Sequence, residues 1–168
     1  INVFLTNGHA DIIIGTKMGY AVRFNENQVR NMGRAATGVR GVNLRADDHV
    51  VGASVISNDQ EVLVITEKGY GKRTLASEYA TKGRGGKGMK TANITEKNGP
   101  LAGLMAVNGD EDLMIITNTG VIIRTNVANI SQTGRATLGV KVMRLDKGAQ
   151  IVTFTSVAAE NEKEVDEE

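Results

Sequence analysis

A unit of about fifty residues is written three times along this chain, so any fold it adopts has to repeat as well. The stretch from Ile14 to Arg23 returns from Val64 to Arg73 and again from Ile115 to Arg124. The anchors keep step at spacings of 50 and then 51: Thr16/Thr66/Thr117, Gly19/Gly69/Gly120, Arg23/Arg73/Arg124, Arg34/Arg84/Arg135, Gly38/Gly88/Gly139 and Arg40/Lys90/Lys141.

Each unit reads as strands. Ile12 to Thr16 is a short apolar run, Lys17-Met18-Gly19 a turn, and Tyr20 to Phe24 a β-favouring return, which together predict a hairpin. A third strand is expected at 38–44, 88–94 and 139–145, and a fourth at 50–56, 101–107 and 151–157. No segment carries sustained helical periodicity, so the chain is expected to be all-β, a propeller-like array of four-stranded blades. The blades span 11–60, 61–111 and 112–158; residues 1–10 hold the last strand of a preceding blade, and 159–168 form an acidic disordered tail. Closed propellers need roughly four to eight blades, so this array is a partial ring within a longer protein. Its open edges predict edge-to-edge self-association.

Composition narrows the function. No run approaches the roughly 20 apolar residues of a membrane helix. No disulfide framework is available without cysteines, and His9 and His49 alone offer little to a metal. The net charge of +1 hides a contrast, because the last nine residues hold six acids and one lysine, leaving a body of +6. Within the body the cations cluster in phase. Six lie between Lys17 and Arg45 against the single acid Glu26, and seven between Lys68 and Lys90 against Glu78. Four lie between Thr119 and Arg144 with no acid.

A repeat places equivalent residues at equivalent positions, so these windows predict one basic stripe, which suits the regular charge of duplex DNA. With 4% aromatic residues and no Trp, platforms for stacking single-stranded bases are few. No helix is expected to enter a groove, so recognition should rest on phosphates and DNA bendability with little sequence preference. The candidate DNA-binding residues are Arg23, Arg30, Arg34, Arg40, Lys72, Arg73, Lys82, Arg84, Lys87, Lys90, Arg124, Arg135 and Lys141. Gly83, Gly85, Gly86 and Gly88 form a glycine-rich loop beside them. This loop fits neither nucleotide fingerprint: a strand-like segment follows it where a dinucleotide site needs a helix, and Lys87 is followed by Gly88, not by the Ser or Thr of a phosphate-binding loop. No catalytic or metal-binding set is expected, since Asp47-Asp48 and Asp110-Glu111-Asp112 fall in turns.

Tyr70-Gly71-Lys72-Arg73-Thr74, Ser77-Glu78-Tyr79 and Arg84-Gly85-Gly86-Lys87-Gly88 resemble blades of the C-terminal domain found in the A subunit of DNA gyrase. Gly33-Arg34 with Thr37-Gly38-Val39-Arg40-Gly41 is similar to another blade of that family. The likeness covers residues 1–158, and the acidic tail is also typical. It implies a β-pinwheel with strands exchanged between neighbouring blades, one that wraps DNA so that strand passage elsewhere in the enzyme introduces negative supercoils. The family's hallmark box, Gln-Arg-Arg-Gly-Gly-Lys/Arg-Gly, is degenerate here, with Lys82 and Gly83 in its first two places. That places these repeats as the last three blades, with the true box upstream. The family's cleavage tyrosine lies in another domain, which leaves Tyr20, Tyr70 and Tyr79 as structural residues. The resemblance further implies a bacterial cytoplasmic, nucleoid-associated parent that uses ATP and Mg2+ and partners the gyrase B subunit plus a second A subunit; the chain itself needs no cofactor. The nearest alternative is the C-terminal domain of the topoisomerase IV A subunit, which has the same architecture. A protein-binding propeller is disfavoured by the charge phase and the scarcity of aromatic anchors.

Overall fold

Each repeat folds its apolar run and the stretch after it into a hairpin, and the computed structural model, which describes residues 2–158, gives the reason for two of the recurring anchors. The hairpins are β1 (Asp11–Thr16) with β2 (Tyr20–Asn25), β4 (Glu61–Thr66) with β5 (Tyr70–Leu75), and β8 (Asp112–Thr117) with β9 (Ile122–Asn126). The amides of Gly19, Gly69 and Gly120 return to the carbonyls of Thr16, Thr66 and Thr117 at 3.0, 3.1 and 3.1 Å. The glycines hold φ of 82 to 85°, where a side chain would be strained. The threonine hydroxyls accept from the amide that follows the turn glycine, Tyr20, Tyr70 or Val121, at 3.4, 3.2 and 3.1 Å.

After the hairpin comes a single 3-10 turn at Glu26–Gln28, Ala76–Glu78 or Val127–Asn129. The chain then crosses to its neighbour. The short strand β6 (Met89–Lys90) pairs with β2 of the preceding repeat, Tyr20 opposite Lys90, and β10 (Val140–Lys141) pairs with β5, Tyr70 opposite Lys141. The long strands β3 (Val50–Ile56), β7 (Leu101–Val107) and β11 (Ile151–Val157) return to β1, β4 and β8 of their own repeat, with a register shift near the end of each pairing. The result is three antiparallel sheets, ordered β3-β1-β2-β6, β7-β4-β5-β10 and β11-β8-β9.

Two expectations are corrected. The third strands are two residues long, and 38–44 forms none, because this segment serves the sheet of the repeat before it and the first repeat has no such sheet among the described residues. Gly88 and Gly139 mark the crossing: a Cβ there would come within 2.8 and 2.7 Å of the Ala21 and Gly71 carbonyls. The expected strand at 1–5 is absent over residues 2–5, which run beside the sheets without ladder bonds; Ile1 and the acidic tail at 159–168 lie outside the described residues.

The sheets stack, and the middle one is buried on both faces, which is why β4 reads as the unbroken apolar run Val62-Leu63-Val64-Ile65. Val62 and Val64 pack against Ile13 and Ala21, while Leu63 and Ile65 pack against Leu113 and Ile115. Where β3 meets β7 the backbones touch, since Gly52 lies against Leu104; a Cβ on Gly52 would overlap the Leu104 carbonyl and stand 2.9 Å from its amide. Gly52→Ala is therefore expected to cost about 2 kcal/mol or more in a denaturant titration. An effect under a few tenths would show that these strands are not pressed together.

Candidate nucleic-acid interface

The cations of the three windows separate into two groups, one holding the fold together and one facing solvent. Arg23, expected at the surface, is 4% exposed. Its Nε pairs with the Asp11 carboxylate at 2.9 Å, and its terminal nitrogens donate to the Ala76 and Tyr79 carbonyls at 2.8 and 3.3 Å and to Asn58 at 2.7 Å. Arg73 repeats the arrangement, pairing with Glu61 at 2.5 Å and donating to the Ile130 carbonyl at 2.7 Å. Arg124 pairs with Asp112 at 2.8 Å and keeps 34% of its side chain exposed.

The acids at 11, 61 and 112 share the spacing of the arginines and lie twelve residues before them. That offset sets the two side chains diagonally across one hairpin face. The in-phase acid series was readable in the sequence and identifies these arginines as cross-hairpin partners; Arg23 and Arg73 also anchor the turn of the following repeat. Asp11 shows the balance of forces: burial raises its pKa, but bonds from Asn25, Thr81 and Arg23 outweigh burial and hold it below the usual value.

Lys72 is also corrected. It is 1% exposed, and its ammonium donates to the Gly134 and Arg135 carbonyls and to Thr137 Oγ1, tying down the next repeat's loop. Burial pushes its pKa down to about 8; Glu78 acts against this shift and Arg135 adds to it. Val22 and Ile123, the equivalents of Lys72 in the other repeats, are apolar, and that was the sequence signal for an inward-facing position.

Arg30, Arg34, Arg40, Lys82, Lys87, Lys90 and Lys141 are exposed. Two junctions bring several of them together in the same way. Half-buried Arg84 donates to the Arg40 carbonyl at 2.5 Å and to the Gln28 carbonyl at 3.2 Å, and half-buried Arg135 donates to the Lys90 carbonyl at 2.8 Å. Each Gly-Arg loop thus rests on the crossing segment of the repeat before it. The glycine-rich loop is seated further by Gly85 N to Gly41 O and Asn43 N to Gly86 O, both 2.9 Å, and by Arg45 to the Lys87 carbonyl at 2.6 Å. Arg45 in turn lies over the Tyr20 ring, 3.4 Å from its centre. Between this loop and β2 is a cleft of about 340 Å³ lined by Val22, Arg23, Lys82, Gly83, Gly86, Lys87, Gly88 and Met89.

The acids do structural work. Asp48 Oδ1 accepts from the Met18 and His49 amides at 2.9 Å each, and Glu111 from those of Asn108 and Gly109 at 2.8 Å. Among the described residues no group of three or more His, Cys, Asp or Glu could hold a metal ion. Tyr79 is buried, its hydroxyl 2.5 Å from Thr91 Oγ1, and burial pushes its pKa up to about 12.

The family model described as the DNA gyrase C-terminal domain, beta-propeller, matches residues 10–57, 60–108 and 111–158, once per repeat. The DNA gyrase A subunit of Streptococcus pneumoniae (serotype 4) is 74% identical over 165 residues, which is 98% of this chain and 20% of that protein. Its Staphylococcus aureus counterpart is 50% identical over 170 residues, 100% of this chain and 19% of that protein. The chain thus spans about a fifth of the length of these relatives. Among solved structures, a DNA gyrase A C-terminal domain superposes with TM-score 0.83 at 26% identity, over 90% of this chain and 52% of that one. A DNA topoisomerase IV C-terminal domain superposes with TM-score 0.89 at 26% identity, over 95% and 50%.

Proposed function

Because the chain belongs to the DNA gyrase C-terminal domain family, we propose that it binds duplex DNA through the phosphate backbone along its loop-bearing margin and bends it. In the whole protein this would serve negative supercoiling by gyrase, an ATP- and Mg2+-dependent activity of the bacterial cytoplasm shared with the gyrase B subunit plus a second A subunit. The chain is a binding element, and the cleavage chemistry belongs elsewhere in the enzyme. The observation that carries this reading is the repeated junction at Arg40–Arg84 and Lys90–Arg135. Its repetition supports reading the exposed cations of successive repeats, Arg30, Arg34 and Arg40, Lys82 and Lys87, Lys90 and Lys141, as one file of phosphate contacts. Such a file gains by releasing counterions from phosphates and carries no code for bases. The topoisomerase IV likeness supports the same DNA-binding reading, while the 74% identity to a gyrase protein favours a gyrase parent.

Anisotropy titrations on random-sequence duplexes test this directly. About six phosphate contacts correspond to a slope near −5 in log affinity against log salt, with single strands of equal length binding more weakly. A flat salt response removes the proposal. Bending is read from the topology of relaxed circles religated with the chain bound, and an unshifted topoisomer distribution limits the role to binding.

A further inference from the structure

Tyr20 and Tyr70 begin the equivalent strands β2 and β5, but different cations meet their rings. Tyr20 lies beneath the Arg45 guanidinium, which also donates to the Lys87 carbonyl. Over the Tyr70 ring stand two ammonium groups, Lys97 from the same repeat and Lys141 from the next, 5.9 and 5.6 Å from its centre.

Lys68 adds a third cation. It takes the place that Met18 holds in the first repeat. Its stem packs on the Gly99 main chain, where a Cβ would stand 2.9 Å from Lys68 Cγ, and its ammonium donates to the Glu96 carbonyl. The charge is thereby fixed on the loop that carries Lys97. Lys68, Tyr70, Lys97 and Lys141 line one cleft of about 360 Å³ together with Gly148 and Gln150. Gly148 sits in a left-handed turn, φ 86°, with open space where a side chain would stand, so its main chain is bare. Among the described residues none of the three lysines forms an ion pair. Like charges gathered on one cleft repel unless an anion lies among them.

We propose that this cleft is a phosphate site, in which Lys68, Lys97 and Lys141 surround a phosphate group, or two joined as a diphosphate, and the Tyr70 ring orients two of the ammonium groups. A phosphate offers several charged oxygens to cations approaching from separate elements, and ammonium groups meet it as point charges. The group belongs either to the backbone of bound duplex DNA or to a free diphosphate anion. Lys141 is already one of the cations assigned to the DNA-binding file, so the cleft adjoins that path. The first junction supplies the internal comparison, because Met18 carries no charge and Arg45 already occupies the Tyr20 ring.

An NMR titration of the full chain with sodium pyrophosphate at low salt tests the site. Saturable amide shifts are expected at Lys68, Lys97, Lys141 and Gly148, with a Kd on the order of a millimolar or below, and none of like size at Met18, Tyr20 and Lys90. Lys68→Met, which installs the first repeat's residue and keeps a stem on Gly99, should weaken pyrophosphate binding at least roughly fivefold, and so should Lys97→Ala. Both side chains are exposed, so the variants' spectra should otherwise match the native one. Shifts that fail to saturate, shifts of equal size at the two junctions, or native-like pyrophosphate binding by the double variant each overturn the proposal. Anisotropy on duplex DNA then identifies the source of the phosphate. A roughly tenfold loss of duplex affinity in the double variant, with the salt slope smaller by about one per lysine removed, assigns the site to the DNA backbone; unchanged duplex affinity assigns it to the free anion. Duplex occupancy rests on the DNA binding proposed above, whereas pyrophosphate binding does not. A chain that takes pyrophosphate here and binds no duplex therefore refutes the DNA-binding reading and leaves the phosphate site standing.

Discussion

Replacing Arg40, Lys87, Lys90 and Lys141 together by glutamate is expected to lower affinity for duplex DNA by roughly a hundredfold or more at moderate salt, and to flatten the salt slope by about one per cation removed. These four are informative because the fold uses their main chains more than their side chains. The carbonyls of Arg40, Lys87 and Lys90 accept from Arg84, Arg45 and Arg135, and substitution leaves those bonds in place. Lys141 gives up only a loose approach to the Tyr70 ring, 5.6 Å from its centre. Arg84 and Arg135 would be poorer choices, because their guanidiniums brace the junctions and a loss of binding would mix contact with misfolding. Affinity within about twofold of native, measured by anisotropy on one duplex at several salt concentrations, would place the DNA on another face.

Arg23→Ala is expected to destabilise the fold by about 3 kcal/mol, roughly 10 °C in Tm for a chain of this size, without a matching loss of DNA affinity per folded molecule. The substitution leaves the Asp11 carboxylate without its cation and removes the donor to the Ala76 and Tyr79 carbonyls at a buried junction. Arg124→Ala, at the exposed pair, should cost less than about 1 kcal/mol. The loss at Arg23 also has a pH signature. A carboxyl held below its ordinary value near 3.8 lends stability above that value and loses it as pH falls through the folded pKa. Asp11 is such a group, so the gap between native and Arg23→Ala proteins should narrow as the medium is taken below about pH 4. A gap that stays constant from neutral to acid pH would mean that the ion pair contributes nothing to the cost.

The sequence disclosed what is local and left open what depends on a neighbour. Hairpins follow from apolar runs, turn glycines and threonines within a few residues of one another, and all three formed as expected. The destination of residues 88–94 was not local: alternation marks a strand but does not say which sheet receives it, and only the family resemblance pointed to exchange. In-phase cations show equivalence, not exposure. Arg23 and Arg73 needed to be read against Asp11 and Glu61, and Lys72 against Val22 and Ile123, before their inward direction could be seen. The cations at Arg40, Lys82, Lys87, Lys90 and Lys141 occupy crossing segments and loops whose side chains the stacking does not enclose, and these are exposed.

Strand exchange also separates the unit that is copied from the unit that is shaped. A duplicated fifty-residue block carries its hairpin and its returning strand, yet its crossing strand and the charge on it are installed on the sheet of whatever block came before. Lys90 is encoded with the second repeat and is displayed by the first repeat's sheet. Shuffling or deleting one block therefore rewrites the electrostatic face of its predecessor while leaving that predecessor's own codons untouched, so adjacent copies in such an array are constrained to change together.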